Sequence, residues 1–240
     1  MKIILQKAIA SSGYCSRRKA EGLIREGKVE VNGAEAIIGD MVDLKEDEIK
    51  ISGQLIGEAE EFVYIKLNKP VGYVCTSRKF SGEKNIFDLI QISERLYPVG
   101  RLDKNSRGLV LLTNDGDLAQ KLSHPKFEHE KVYHIRLKPG AFFDGRVVAE
   151  KLEKGVDIGE GEGIARAKKA QYLQNRDFII TLSEGKKRQI RRMFAAFRLD
   201  IDDLLRVEIA GLKLDNLKEA AFQHLSDREL ADLKKKLNRK

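Results

Sequence analysis

Cysteine is scarce. The 240 residues hold two, Cys15 and Cys75, far apart along the chain. That excludes a disulfide framework and fits a reducing compartment. Neither cysteine has partners at metal-ligating spacing. Histidine is nearly as sparse. His124, His129 and His134 stand five apart, which suits neither one helix face nor a zinc spacing, and His224 is remote. No metal site is expected. Long apolar runs are also missing. The first residues, Met1-Lys2-Ile3-Ile4-Leu5-Gln6-Lys7, are broken by charge too early for a secretory signal. No stretch approaches the ~20 apolar residues of a membrane span. With 42% hydrophobic residues the chain reads as globular, and a cytoplasmic location is the expectation. There is no internal repeat and no low-complexity segment. Gly159, Gly161 and Gly163 lie in Gly-Glu-Gly-Glu-Gly, where flanking carboxylates speak against a phosphate cradle.

Positive charge is what the chain has in excess. The formal net charge is +8. A strongly basic globular protein often meets a polyanion, most commonly nucleic acid. The distribution sharpens this. Residues 2 to 28 carry seven basic residues against Glu21 and Glu26, a net of +5. Residues 29 to 58 carry a net of −6, and residues 59 to 240 a net of +9. Basic charge is bunched at the very start and then countered.

Ile4, Leu5, Ala8 and Ile9 make a helical stripe that Gly13 ends. Ser16 can cap a second helix, Arg17 to Glu26, with Gly27 as its stop. Lys28 to Val31 then alternates as a strand, and Asn32-Gly33 is a hairpin turn signal. Arg17, Arg18 and Lys19 sit in the first turn of the second helix, where the dipole already favours anions. A phosphate backbone bound there would explain the choice, and a solvated basic turn is the plain alternative. The run Leu5 to Glu21, continued by Ile24 to Gly33, resembles the S4 RNA-binding domain. That resemblance implies a domain over residues 1 to 58 whose basic helix face holds structured RNA.

An acidic break at Glu58, Glu60 and Glu61 marks a linker, and a second domain over 61 to 240 follows. Strand patterns fall at 62–67, 72–76, 109–113, 132–137, 165–173, 178–182 and 204–209. Helical patterns fall at 117–122, 142–152 and 188–197. A last helix starts at Asp227, announced by Ser226 and Glu229 as a capping box. Strands outnumber helices and do not alternate with them regularly. The expected class is α+β, with a mixed, mostly antiparallel sheet flanked by helices.

Two stretches carry the chemistry. In Gly100-Arg101-Leu102-Asp103-Lys104-Asn105-Ser106-Arg107-Gly108, one carboxylate stands among three cations just before the apolar strand 109–113. A surface turn with a local ion pair would read this way, and so would a catalytic carboxylate at the rim of an anionic substrate site. In Lys186-Lys187-Arg188-Gln189-Ile190-Arg191-Arg192, five cations crowd seven residues. Ile190, Met193, Phe194 and Phe197 form the core face of that helix. Arg188 and Arg192 share another face and can reach a phosphate. Arg191, next to the apolar stripe, can turn inward, where a carboxylate would have to meet it.

These blocks together resemble the pseudouridine synthases of the RsuA type, which include RluB, RluE and RluF. The carriers are Leu67-Asn68-Lys69-Pro70-Val71-Gly72, Gly100-Arg101-Leu102-Asp103 running on to Gly108-Leu109, Glu130-Lys131-Val132-Tyr133, and Glu184-Gly185 to Arg192-Met193. They come in the family's order. The resemblance implies isomerisation of uridine to pseudouridine in ribosomal RNA without a cofactor. It implies Asp103 as nucleophile, with Tyr133 stacking on the uracil and helping to move a proton. Arg191 is the basic residue that pairs with the aspartate, and Ile190 lines the pocket. Arg101 fills the gap left by the extruded base, and Lys187, Arg188, Arg192, Arg17, Arg18 and Lys19 contact the RNA.

Gly-Arg-Leu-Asp-Lys-Asn-Ser, Arg-Gln-Ile-Arg-Arg-Met and Arg188 itself lean toward the large-subunit branch of RluB and RluF. Small-subunit rRNA or tRNA as target, or a non-catalytic RNA-binding assembly factor, are the alternatives. A monomer with no membrane partner is expected. Two segments depart from the family pattern. Residues 197 to 203 lack a glycine after the basic helix and hold three aspartates. Residues 214 to 225 lack the glycine and arginine expected before the last helix.

Overall fold

In this computed structural model the described residues are 2–76, 78, 80–140 and 142–238. The chain divides into two compact units, Met1–Val63 with Ser93–Leu96, and Tyr64–Ile92 with Tyr97–Lys240.

The first unit holds helices Leu5–Ser11 and Arg17–Arg25 and a four-stranded antiparallel sheet. Ser16 caps the second helix by accepting the Lys19 N–H at 3.2 Å, as its position before an amphipathic run predicts. Asn32 and Gly33 take left-handed dihedrals (φ 54° and 82°), so the two-residue hairpin turn forms where the sequence signals it. Leu5, Ala8, Ile9, Ala20, Ile24, Val29, Ile49 and Ile51 make the core of this unit.

The second unit is built on a nine-stranded sheet. Its main path runs Lys169–Tyr172, Asp177–Leu182, Lys131–Leu137, Ile201–Ile209, Arg107–Thr113, Tyr64–Lys69, Phe222–His224. One pairing on this path is parallel, that of Arg107–Thr113 with Ile201–Ile209; the others are antiparallel. The class is α+β, as expected. Leu109, Val110, Leu111 and Leu112 are 0% exposed, because helices or loops cover both faces of this central strand. Helices Gly116–Ser123 and Asp227–Leu237 pack on one another. The Ser226/Glu229 capping box forms.

Two short strands, Ile164–Ala165 and Lys169–Tyr172, replace the single one expected over 165–173. The first pairs with Val156–Asp157 in a separate hairpin. No helix among the described residues is long and apolar enough to cross a membrane.

In both segments that depart from the family pattern, non-glycine residues take left-handed conformations. The basic helix, Gln189–Ala195, ends with Arg198 at φ 59°. Arg198 N–H donates to Ala195 O at 2.8 Å and Leu199 N–H to Phe194 O at 3.1 Å. This is the glycine-type helix stop with arginine in the glycine's place, closed by buried Leu199. In 214–225, Asp215 and Ala220 adopt φ 48° and 64°. Asn68 fixes that segment, donating its Nδ2 to Leu217 O at 2.8 Å.

An L side chain in the left-handed region costs about 1–2 kcal/mol, part of which returns as glycine's larger entropy when unfolded. Arg198→Gly should therefore raise the melting temperature by about 1–3 °C for a chain of this size. Thermal unfolding of the two proteins checks it, and a lower melting point in the variant would refute it.

Candidate active site

Each of the three cations near Asp103 in sequence is occupied elsewhere or exposed. Lys104 pairs with Glu83 at 2.7 Å. Arg107 grips Asp203 with two hydrogen bonds of 2.7 Å. Arg101 is exposed on the cleft rim. Among the described residues no ion pair within 4.0 Å involves Asp103. The local-ion-pair reading of this turn does not hold. Asp203, one of the three aspartates that break the family pattern, is accounted for by Arg107.

The turn is held from behind. Lys69 is fully buried, and its Nζ donates to Ser106 O at 2.6 Å, Pro70 O at 2.9 Å and Lys104 O at 3.5 Å. Gly72 N–H donates to Lys104 O at 2.8 Å. This is what the Asn68-Lys69-Pro70-Val71-Gly72 block does: it cradles the turn that presents Asp103.

Asp103 opens into a cleft of about 660 Å³, within the usual ~300–1,000 Å³ of small-molecule sites. Tyr133, Ile190, Arg191, Arg101, Lys187 and Arg188 line the same cleft. Tyr133 comes from the Lys131–Leu137 strand and is 8% exposed. Ile190 and Arg191 come from the first turn of the basic helix. Lys104, Lys131, Lys186 and Arg206 add further positive charge, against Asp103 and Glu184. The cleft is a cationic pocket around one free carboxylate.

Two expectations are corrected. Arg191 shares the cleft with Asp103 but does not pair with it. Its guanidinium donates instead to Asn105 O and to Ile201 O, the latter at 3.4 Å. Burial, with the like charge of Arg188, pushes its pKa down, while Asp103 and Asp203 pull it back up. The coupling to Asp103 is through space; carbonyls take up the two terminal nitrogens, and Nε is buried without a partner. Arg192 is not in the cleft. It donates its Nε to Ile158 O at 2.8 Å and its Nη2 to Gly159 O, with Glu160 at 3.6 Å. Lys186 also reaches this loop, donating to Glu162 O at 2.7 Å. The Gly-Glu-Gly-Glu-Gly segment is therefore structural, since it takes up two cations of the basic stretch.

Arg17, Arg18 and Lys19 lie in the first unit, all exposed, with no acidic residue in their helix's first turn. Two contributors were not legible in sequence. Gln189, 3% exposed, closes the 184–189 loop by accepting the Lys186 N–H at 2.9 Å and donating to Glu184 at 2.8 Å. Arg206, 1% exposed, lies under the cleft. Both cysteines are free and buried; Cys75 lines the cleft, and burial pushes its thiol up. No group of three or more His, Cys, Asp or Glu among the described residues could hold a metal ion.

Comparison with known proteins gives concordant findings. Residues 63–196 match the family model described as RNA pseudouridylate synthase, and residues 5–49 match the S4 domain. The chain is 40% identical over 235 residues to the Dual-specificity RNA pseudouridine synthase RluF of Escherichia coli K12, covering 95% of this chain and 77% of the relative. It is 38% identical over 235 residues to the Ribosomal large subunit pseudouridine synthase B of Bacillus subtilis 168, covering 96% and 95%. A crystal structure of a pseudouridylate synthase, 30% identical, superposes with a TM-score of 0.69 over 96% of this chain and 99% of that one.

The Lys69 ammonium titrates in a testable way. Burial, with Arg206 adding repulsion, pushes its pKa down to about 8 from 10.5, against a smaller upward pull from Cys75 and Asp103. Between those two values the unfolded chain holds the proton that the folded one has released. Stability contributed at this site should therefore rise with pH across the window. Measured by urea unfolding at about pH 7.5 and about pH 10, wild type should gain on Lys69→Met at the higher pH. A flat or falling difference would contradict it.

Proposed function

The chain belongs to the RNA pseudouridylate synthase family, and from that premise we propose that it isomerises a uridine of large-subunit (23S) ribosomal RNA, with Asp103 as nucleophile. It is a pseudouridine synthase, an intramolecular isomerase carrying an S4 domain. The single observation that supports the target is the near full-length match to the large-subunit enzyme of Bacillus subtilis. RluF, called dual-specificity by name, favours a second reading in which the same cleft also accepts another RNA, a tRNA or small-subunit rRNA.

The reaction breaks the bond between ribose C1′ and uracil N1 and forms one between C1′ and C5. The C5 proton leaves and N1 gains one, so atoms and electrons balance without an added oxidant or cofactor. A uridine within structured RNA must first be flipped out, at a cost of a few kcal/mol. Stacking on Tyr133 returns roughly 1–3 kcal/mol, and its phenol hydroxyl helps to move the proton. Arg101, exposed at the rim, takes the space the base leaves. Among the described residues no cation holds Asp103 in contact, so it stays free to attack C1′ or uracil C6, or to stabilise a glycal-forming step. Lys187 and Arg188, exposed on the cleft, draw in the phosphates. Residues 61–240 form the catalytic domain in this reading. Residues 1–58 hold the structured RNA through Arg17, Arg18 and Lys19. The chain acts as a monomer.

Ribosomal RNA carrying tritium at uracil C5 tests this. Wild type should release tritium from large-subunit rRNA, and mapping should find one pseudouridine. Asp103→Asn should bind the RNA as wild type does and yield no product. Binding with no release in wild type would leave an assembly factor, and release from small-subunit RNA or tRNA alone would move the target. Affinity should fall steeply with salt, because phosphates dominate the contact.

A further inference from the structure

Arg206 is a buried cation for which the proposed chemistry has no use. It is 1% exposed, and none of the ion pairs found within 4.0 Å among the described residues includes it. Its Nε donates to Leu109 O at 2.8 Å and its Nη1 to Arg101 O at 3.3 Å. Those two carbonyls stand at the two ends of the turn that carries Asp103. Its Nη2 is buried without a partner.

The backbone of Arg206 is placed as tellingly as its side chain. On one side it pairs with Gly108, at the end of the Asp103 turn. On the other it lies opposite Tyr133, at a register shift that leaves Val207 unmatched. A Cβ at Gly108 would lie 2.4 Å from Arg206 O and 2.7 Å from Arg206 N, so only glycine allows the approach. One residue thus joins the wall that bears the carboxylate to the wall that bears the tyrosine.

A guanidinium buried to 1% exposure without a carboxylate is costly, and an apolar side chain of similar length would serve a core better. The charge needs another reason. The planar fork reaches the carbonyls at both ends of the turn at fixed angles, which a single ammonium does not reproduce.

We propose that Arg206 is a positioning residue of the isomerisation: its forked hold on Arg101 O and Leu109 O, with its backbone opposite Tyr133, sets Asp103 at reacting distance from a base stacked on Tyr133. The proposal rests on the reading of Asp103 and Tyr133 as the reacting pair.

Arg206→Met and Arg206→Lys, compared with Asp103→Asn, provide the test. Single-turnover rate on rRNA, RNA affinity and melting temperature are read for each. Arg206→Met should bind RNA as wild type does and react about 100-fold more slowly, the scale expected for a misplaced reacting group. Arg206→Lys should lie between the two, with affinity unchanged. A purely structural role would lower the melting temperature while the folded fraction reacted at the wild-type rate, and that result overturns the proposal. Should Arg206→Met fail to fold, Arg206→Lys decides: a slower rate at unchanged affinity supports the proposal, and a wild-type rate overturns it. If Asp103→Asn itself turns over, the underlying site reading fails. If Asp103→Asn is dead and both Arg206 variants are at wild-type rate, this proposal alone fails.

Discussion

The parallel contact between Arg107–Thr113 and Ile201–Ile209 is the constraint on which the site depends. It is short, two residue pairs, yet it brings together segments almost a hundred positions apart. Gly108 makes it feasible, since any side chain there would collide with the facing backbone. Arg107 and Asp203 secure its outer edge with a bidentate pair, a geometry stronger than an ordinary surface ion pair although both groups are partly solvated. Loosening that contact would shift Asp103 against Tyr133, whose strand pairs with Ile201–Ile209, and against Arg191, which is hydrogen-bonded to the Asp103 turn.

Three buried or half-buried cations fasten the backbone of the Asp103 turn through its carbonyls. Lys69 holds the backbone of residues 104 and 106, Arg206 that of 101 and 109, and Arg191 that of 105. Carbonyl oxygens accept from these cations without neutralising them, and Arg191 Nε and Arg206 Nη2 are left without a partner. The positive potential therefore persists around Asp103, whose carboxylate is left without a contact ion pair among the described residues. Had Arg191 closed on Asp103, the carboxylate would have been less available to attack carbon. For the proposed nucleophile the unformed pair is the more useful arrangement, and the field of the surrounding charges still favours a polyanionic substrate.

Much of this was legible in the sequence because it is local. Ser16, Asn32-Gly33 and Ser226 with Glu229 are capping and turn signals whose partners lie within a few residues. The Asp103 turn and the apolar strand after it read correctly for the same reason. Helix termination at Arg198 did not, since nothing in the composition marks an arginine as willing to take a left-handed conformation. Arg206 stayed invisible inside Leu204-Leu205-Arg206-Val207, where it looks like a solvated residue on an alternating strand. Only the bulge opposite Tyr133 and the carbonyls of distant residues show its place. The partner of Asp203 was equally hidden, because the pairing spans 96 positions.

The basic stretch 186–192 shows why charge counts mislead when positions are unknown. Read as sequence, Arg188 and Arg192 share a helix face that can reach a phosphate, and Arg191 turns inward. In the fold they take separate roles. Arg192 and Lys186 are committed to the carbonyls of the 158–164 loop, with Glu160 and Glu162 beside Arg192. Arg191 is committed to the Asp103 turn. Lys187 and Arg188 alone remain exposed on the cleft. Arg188 stands exposed in a left-handed conformation, φ 52°, that starts the helix without a side-chain cap. Had the chain entered the helix in extended geometry, as most caps do, the Arg188 side chain would leave the backbone in another direction. The charge that can meet a phosphate is thus a minority of the charge present, and the rest holds the loops that shape the pocket.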